Sequence, residues 1–505
     1  MKNSVLAQNV SDALWFLVLG SCIGWYLQYL WKRRYLYSAA WQRPGPLSFP
    51  FIGNALLLVA SPSDLLKNLL RLNKLYKSPF PFWTGPKLLF SISEPKDLET
   101  VLNSPNALNK IEFHKSRKIV SGQGLFAAPV PIWKRHRKII LPTMNQKVLN
   151  DFVPIFVEQS DILLQQLLEE VGKDEFDIFD YVSKCVLDNL CATMMGVSVN
   201  AQITDSEFPK WNNKIVEISY IRMLNIWYHF DFIFNLSSHS RQYNDLTRKI
   251  STFVDDMVLQ KRREYRAHRE NAFVDEEFSK RKSFLHLLIE LSENGTEFNN
   301  EELRDEVITF LIAGNDTSAT MLSFFFIVLG MYPEIQQKLY EEVINVLGSN
   351  RPVEHADLNK FEYMDRLIRE TLRIFPSVPF LGRSVTEDIK LEDCTLPAGC
   401  SVLINVIGLH RDPSLYPEPL KFDPDRFLKE EVAKRHPYSW LPFSGGPRNC
   451  IGTKFGFMSM KTMIASVVRK FKFSSRYKRI EDIDLKMKLL LQPVDGFKVS
   501  IALRK

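Results

Sequence analysis

The sequence predicts a mainly α protein with a minor β portion, preceded by one N-terminal transmembrane helix. Apolar residues recur at helical spacing over much of residues 150–259, and one long helix is expected over residues 299–329. Strand-like alternation is confined to short runs such as residues 401–407. With 505 residues, of which 45% are hydrophobic, the chain can bury one large core.

Residues 13–31 contain no charged side chain and nearly match the ~20 apolar residues that cross a bilayer as a helix. Lys32, Arg33 and Arg34 follow at once, whereas only Lys2 precedes the segment. The positive-inside rule therefore places the bulk of the chain in the cytosol. A cleaved signal peptide is disfavoured because the apolar run is long and no small-residue cleavage site is evident. We expect a single-pass anchor within residues 1–35.

Prolines separate the anchor from the remainder of the chain. Pro44, Pro46 and Pro50 fix the backbone and stop an anchor helix from continuing. We expect a proline-rich hinge over residues 36–54 and one globular domain over residues 55–505. An ordinary loop is the alternative for the hinge, and the sequence leaves both open.

Charge and cysteine content exclude several classes of protein. The net charge of +7 is modest, and the basic residues are interleaved with acidic ones, which argues against a nucleic-acid binder. Six cysteines are too sparse for a disulfide scaffold, and the absence of a Cys-x-x-Cys pair gives a zinc site little support. Five of them are expected to be free, packed thiols.

Cys450 stands apart because of its neighbours. It follows the run Gly445-Gly446-Pro447, which predicts a constrained turn that brings the backbone close to a flat group, and it opens an apolar helical pattern. A thiolate at a helix start is stabilised by the N–H groups and the dipole that face it. Such a thiolate can donate electron density to haem iron and favour O–O cleavage. The alternative is a buried structural cysteine.

The run from Phe443 to Gly452 resembles the cytochrome P-450 signature, Phe-x-x-Gly-x-Arg-x-Cys-x-Gly, at every fixed position: Phe443, Gly446, Arg448, Cys450 and Gly452. The resemblance implies the cytochrome P-450 fold and a haem b cofactor, iron protoporphyrin IX, bound by these residues. Cys450 is then the axial iron ligand, Arg448 holds a haem propionate, and Phe443 shields the sulfur.

Two further motifs match the same family. Glu370 and Arg373 form a Glu-x-x-Arg pair, and Arg426 lies in a run that matches Phe-x-Pro-x-Arg-Phe. The resemblance implies that these three residues form a buried charge triad, which locks the loop behind the haem. One carboxylate between two guanidiniums can be satisfied by bidentate hydrogen bonds. Alone, a Glu-x-x-Arg pair more often decorates a solvated helix.

Three more residues are expected at the haem propionates. Trp133 and Arg137 match the family's Trp-x-x-x-Arg, and at this spacing their side chains share one helix face. Both can reach one propionate, although a surface helix is the alternative for this motif. Arg383 follows the Glu-x-x-Arg helix, where relatives carry another propionate-binding arginine.

The long predicted helix contains the run from Ala313 to Ser318, which matches the family's oxygen-activating motif. The resemblance implies that Thr317 donates a hydrogen bond to bound dioxygen and that Asp316 belongs to a proton relay. The alternative is a helix kink in which Thr317 bonds back to a carbonyl. Many fatty-acid ω-hydroxylases carry a glutamate where Ala313 stands, so a covalent haem link is not expected here.

The residues within these motifs are similar to those of microsomal animal enzymes, in the branch that contains fatty-acid ω-hydroxylases and many insect enzymes. The resemblance implies a haem-thiolate monooxygenase in the endoplasmic reticulum membrane that acts on a lipophilic small molecule. No flavin or nicotinamide motif is present, so electrons are expected from NADPH through a separate NADPH-cytochrome reductase, with cytochrome b5 as a further partner. Lys454, Arg135 and Lys138 are candidates for docking the reductase.

Two other functions remain open at this stage. A haem-thiolate isomerase or dehydratase would rearrange peroxides without a reductase, but such enzymes can dispense with the Asp316–Thr317 pair. A non-catalytic haem sensor would use Cys450 but would need neither Thr317 nor a docking surface.

Overall fold

The computed structural model describes residues 2–49, 51–111, 122–270, 283–293 and 298–504. Its helices are α1 (Lys2–Lys32), α2 (Arg34–Trp41), α3 (Pro62–Leu75), α4 (Pro95–Asn103), α5 (Val130–Ile140), α6 (Gln146–Asn150), α7 (Val153–Leu168), α8 (Ile178–Leu190), α9 (Ala201–Thr204), α10 (Phe208–Leu224), α11 (Asp231–Leu236), α12 (Ser238–Glu270), α13 (Phe284–Glu293), α14 (Asn300–Met331), α15 (Pro333–Leu347), α16 (Glu362–Ile374), α17 (Val406–His410), α18 (Lys429–Ala433) and α19 (Thr453–Lys470). The predicted, mainly helical fold class is confirmed.

The strands are short. They are β1 (Phe80–Thr84), β2 (Lys87–Ile92), β3 (Phe176–Asp177), β4 (Phe380–Ser384), β5 (Ile389–Lys390), β6 (Thr395–Leu396), β7 (Ser401–Asn405), β8 (Phe471–Ser474), β9 (Leu485–Met487), β10 (Leu491–Pro493) and β11 (Lys498–Leu503). The largest sheet in the described residues has the order β1-β2-β7-β4. Only its β2–β7 pair is parallel, with Phe90 opposite Val402.

The helix α14 is buried along most of its length and packs against α8, α12, α16 and β8. It begins with a reciprocal cap: the Asn299 side chain accepts the Glu302 N–H at 2.8 Å, and the Glu302 carboxylate accepts the Asn299 N–H at 3.1 Å. Gly314 lies within α14, and a Cβ there would lie 3.1 Å from the Leu190 side chain of α8. The glycine therefore allows two central helices to pack closely.

Two described helices are long and apolar enough to span a bilayer: residues 12–32 of α1, which are unburied, and α14, which is 78% buried over its most apolar stretch. The burial of α14 makes it a core helix. The predicted hinge is partly packed on the globular domain. Leu36 is buried with β2 and β7 residues, and Asn54 exchanges hydrogen bonds with the Trp83 backbone at 2.6 and 2.7 Å.

Candidate active site

The loop that carries Cys450 is closed by its own backbone. The Cys450 N–H donates to the Phe443 carbonyl at 2.9 Å, and the Asn449 N–H donates to the Gly446 carbonyl at 3.1 Å. Gly446 has a φ of +65°, and a Cβ there would overlap the Leu102 carbonyl of α4. Only glycine meets both conditions without strain, so this residue fixes how closely the loop approaches α4.

Cys450 lies three residues before α19, because the helix begins only at Thr453. The prediction that the cysteine opens the helix was therefore wrong by one turn, although the Gly452 N–H still faces the sulfur. The thiol is exposed to solvent, yet burial raises its pKa, so it lies in a recess enclosed by protein. The Gly452 N–H, the Thr453 hydroxyl and the Arg137 charge oppose that rise and favour the thiolate.

Two buried arginines flank this recess. Arg448 is 6% exposed and donates to the carbonyls of Leu108, Leu125 and Ala128 at 2.9, 3.2 and 2.7 Å. Arg383 is 1% exposed and donates to the Ser444 hydroxyl at 3.2 Å. Burial lowers the pKa of Arg383 to about 10. Burial, followed by the charges of Arg383 and Arg137, lowers the pKa of Arg448 to about 9.

The helix α5 brings Trp133 and Arg137 to the same place. The Arg448 guanidinium lies 4.5 Å from the centre of the Trp133 ring, which is buried. Arg137 donates to the Asn449 carbonyl at 2.9 Å and to its side-chain oxygen at 2.5 Å. The structure thus brings together four of the residues predicted to hold haem propionates: Trp133, Arg137, Arg383 and Arg448.

The charges at this site are unbalanced. Within the described part of the chain, Arg137, Arg383 and Arg448 form no ion pair with a carboxylate, although Arg383 and Arg137 are close enough to lower the pKa of Arg448. Buried cations are normally paired, because desolvation penalises an unpaired charge. A flat cofactor with two carboxylates and a thiolate-binding metal matches this set of donors. Haem therefore fits the residues that are present.

The predicted charge triad is assembled beside the loop. Two nitrogens of Arg373 donate to the Glu370 carboxylate at 2.7 and 2.8 Å, and the Asp423 N–H donates to it at 2.9 Å. Arg426 Nε lies 3.7 Å from Glu370 Oε1 and is an ion-pair partner without a hydrogen bond. Arg373 also donates to the carbonyls of His410 and Pro419, both at 2.8 Å, so the pair ties α16 to the segment that follows α17.

One face of α14 is partly exposed to solvent near the middle of the helix. Ala313 is exposed and Thr317 is half-buried, whereas Asp316 is buried and accepts from the Asn315 amide at 3.4 Å. The Thr317 hydroxyl donates to the Ala313 carbonyl at 2.7 Å, which is the back-bond of the alternative interpretation. The catalytic roles of Thr317 and Asp316 stay predictions.

Besides its contacts with the cysteine loop, α5 makes contacts with α14 that sequence reasoning missed. The His136 ring and the Glu306 carboxylate are both fully buried, and His136 Nδ1 lies 2.6 Å from Glu306 Oε1. Arg135 pairs with Glu302 one turn earlier on α14, and its role in docking a reductase stays a prediction. The partners are separated by about 170 residues, and no local pattern indicates such a pairing.

The loop that leads into α5 is fastened to α14 as well. The Gln123 N–H donates to the Asp305 carboxylate at 2.6 Å. Side chains at Gly122 or Gly124 would overlap Asp305 or Thr309, so the two glycines permit this contact. Burial, followed by the charges of Glu301 and Glu306, outweighs the Gln123 N–H and raises the pKa of Asp305 to about 6.

Comparison with known proteins agrees with this geometry. The family model described as Cytochrome P450 matches residues 43–501. Cytochrome P450 4c3 of Drosophila melanogaster is 35% identical, with 100% of this chain and 98% of that protein covered. Cytochrome P450 4V2 of Rattus norvegicus is 32% identical, with 93% and 92% covered. Cytochrome P450 4d1 of Drosophila melanogaster is 32% identical, with 90% and 93% covered. The resemblance inferred from the motifs is confirmed, including its insect relatives.

Asp305→Asn is expected to stabilise the protein at neutral pH. The amide oxygen still accepts the Gln123 N–H, but the buried charge is removed. Because burial raises the pKa of Asp305 from 3.8 to about 6, its ionisation costs stability in full above pH about 6, and this cost falls with pH and vanishes only below pH about 3, where aspartic acid is protonated in both states. We expect the variant to be more stable by roughly 1 to 2 kcal/mol at pH 7 and equal to wild type at pH about 3.

The free energy of unfolding at both pH values tests this, with the exposed Glu334→Gln as the control. That change removes a favourable acid from the first turn of α15 and should slightly destabilise the protein. A less stable Asp305→Asn protein at pH 7 contradicts the prediction.

Proposed function

The chain belongs to the cytochrome P450 family and is a haem-thiolate monooxygenase, in which we propose that Cys450 would supply the thiolate ligand. We propose that the protein inserts one oxygen atom of O2 into a lipophilic substrate. Its electrons come from NADPH through a separate reductase. The observation that carries the assignment of Cys450 is the solvent-exposed thiol beside three guanidiniums that have no carboxylate partner in the described residues. We also propose haem b as the cofactor. When bound, it supplies the oxygen-activating chemistry.

Each residue of the site would have its own role in binding that cofactor. Cys450 donates its thiolate from the closed loop, and the Gly452 N–H moderates its charge. Arg448, Arg383 and Arg137 would hold the propionates, and the Arg448 guanidinium lies 4.5 Å from the centre of the Trp133 ring. The buried Arg448 and Arg383 would thereby gain carboxylate partners, which they lack in the described residues.

The oxygen-activating residues of the site are assigned to α14. Ala313 and Thr317 lie on the open side of this helix, and Ser377 donates to the Thr317 carbonyl at 2.9 Å, which fixes that turn. We propose that the Thr317 hydroxyl, which bonds to the Ala313 carbonyl, would donate a hydrogen bond to dioxygen in the site and that Asp316 would hold the proton that Thr317 passes on. Ala313 carries no carboxylate, so no ester to the cofactor can form at this position.

We propose that the reductase binds the surface near the Cys450 loop, with cytochrome b5 as a further electron donor. Lys138 and Lys454 are exposed there, on α5 and α19, whereas Arg135 is engaged by Glu302. Exposed lysines attract an acidic partner surface and raise its rate of association. The proposed substrate is a small molecule and both proposed partners are proteins. No surface for nucleic acid is proposed.

We propose the endoplasmic reticulum membrane as the location, with α1 as the single anchor and the catalytic domain in the cytosol. The side chains of residues 14–19 are exposed and apolar. Near the domain end of α1, the Tyr26 ring lies 4.6 Å from Phe51, and Arg33 donates to the Pro86 carbonyl at 2.5 Å. Exposed apolar side chains also cluster around α11, at Trp227, Phe230, Phe232 and Leu236.

The assignment is tested by the absorption of the reduced protein with carbon monoxide. We expect the red-shifted band of a thiolate-ligated haem in the wild type and its complete loss in Cys450→Ala. Cys22→Ser is the matched control, because Cys22 is the other exposed cysteine and lies in the anchor. A folded wild-type protein that binds no haem, or that keeps the band without Cys450, would refute the assignment.

Glu370→Ala is expected to abolish haem loading. The change leaves Arg373 fully buried without its carboxylate and releases the Asp423 N–H, so the structure behind the loop loses several kcal/mol. The ratio of haem absorbance to protein absorbance measures the effect. Glu362→Ala, at an exposed position in the first turn of the same helix, should load haem normally. A haem-replete Glu370→Ala protein contradicts this role of the triad.

Thr317→Ala separates the monooxygenase from the two alternatives. With reductase and a lipophilic substrate, we expect NADPH oxidation to continue while product formed per NADPH falls about tenfold or more, because proton delivery is impaired. Ser318→Ala, at the neighbouring half-buried position, should leave this ratio near that of the wild type. Peroxide rearrangement without NADPH would favour an isomerase or dehydratase, and a haem-bound wild-type protein that turns over neither a lipophilic substrate nor a peroxide would favour a sensor.

A further inference from the structure

We propose that Glu306 and His136 are positioning residues, which hold α5 against α14 in the one register that places Arg137 on the cysteine loop. The inference rests on the proposed function, since it concerns the thiolate-ligated cofactor. The distinguishing observation is the short, fully buried contact of 2.6 Å between His136 Nδ1 and Glu306 Oε1.

The contact joins α5 to α14. His136 and Arg137 are neighbours on α5, so a shift of α5 that displaces His136 also displaces Arg137. Arg137 makes two hydrogen bonds to Asn449, the residue before Cys450. Glu306 lies on α14, which also carries Thr317. A single buried pair therefore relates the position of the oxygen-activating helix to that of the cysteine loop.

Glu306 also faces the loop that supports Arg448. The Leu125 N–H is directed at the Glu306 carboxylate and lowers its pKa, against the larger effect of burial, which raises it. The Leu125 carbonyl, in turn, accepts from Arg448 at 3.2 Å. Arg137 and Arg448 are thus each connected to Glu306 through one intervening residue, His136 and Leu125 respectively.

Stability alone is a poor explanation for this pair. Glu306 Oε2 is buried and has no hydrogen-bond partner in the described residues, which is costly for a carboxylate. Replacing a buried ion pair by apolar residues of similar volume is often neutral or stabilising. Apolar residues would not fix the position of α5 relative to α14. Leucines can pack in several registers, whereas an imidazole and a carboxylate at 2.6 Å can meet in only one.

The test compares loss of the thiolate-ligated state with loss of the fold. The full-length, haem-loaded proteins are incubated at a temperature below their unfolding transition. The red-shifted band of the reduced carbon monoxide adduct is followed over time, and circular dichroism monitors the helices. We expect the band to decay about tenfold faster in Glu306→Leu than in wild type, while helicity is retained. Glu306→Gln keeps an acceptor for His136 and should restore the wild-type rate.

Glu302→Leu is the matched control. It makes the same chemical change one turn earlier on α14. It removes the partner of Arg135, the 3.6 Å contact between Glu302 Oε1 and His136 Nε2, and part of the Asn299 cap, but leaves the contact between His136 Nδ1 and Glu306. We expect it to lower the unfolding temperature without accelerating decay of the band. Equal decay rates in Glu302→Leu and Glu306→Leu would overturn the inference.

A double variant covers the case in which Glu306→Leu does not fold. His136→Leu combined with Glu306→Leu replaces the pair by apolar residues and should fold as stably as wild type. We expect it to lose the band faster all the same, and a double variant that keeps the band as long as wild type overturns the inference. A wild-type protein without the band would refute the proposed function instead, before any variant is compared.

Discussion

An excess of positive charge around one thiol is the constraint on which the rest of the site depends. Arg448 and Arg383 are buried, Arg137 approaches the same loop, and the described residues offer them no carboxylate. Backbone carbonyls and the Trp133 ring are the only compensation that the described residues provide for Arg448. The fold therefore holds cations in place at a cost to its own stability, and a dianionic cofactor recovers that cost on binding.

In addition to its own backbone hydrogen bonds, the cysteine loop relies on contacts from distant parts of the chain. Gly446 rests on α4, Ser444 accepts from Arg383, and Asn449 accepts from Arg137. Behind the loop, Glu370 fixes α16 to the segment after α17 by hydrogen bonds between fully buried groups. The loop can adopt its conformation only when helices from both ends of the sequence have docked, so cofactor binding reports on the completeness of folding.

Much of this arrangement could be predicted from the sequence, because its signals are local. The run from Phe443 to Gly452 carries its glycines, arginine and cysteine within ten residues, and the family it indicated is confirmed. The long helix expected over residues 299–329 likewise corresponds to α14, which begins at Asn300. Fixed spacing within one turn or one helix leaves few conformations to choose between.

Contacts between distant segments were beyond such reasoning. The pairing of His136 with Glu306 and of Arg135 with Glu302 depends on how α5 crosses α14, and no periodicity encodes that crossing. The close packing of Gly314 against Leu190 of α8 is another contact between distant segments that no local pattern indicates. The roles assigned to Thr317 and Asp316 stay predictions, because they require groups outside the polypeptide.

The way the anchor joins the domain bears on how the catalytic part can be released from the lipid. Leu36 is buried against the sheet, Tyr37 stacks on Trp83 at 4.7 Å, and Asn54 bonds to the same tryptophan. A protease cut between Lys32 and Arg34 would free the domain with its sheet intact. A cut at residue 55 would leave Trp83 uncovered and strip a buried leucine from the core, so water solubility would be gained at the expense of the sheet.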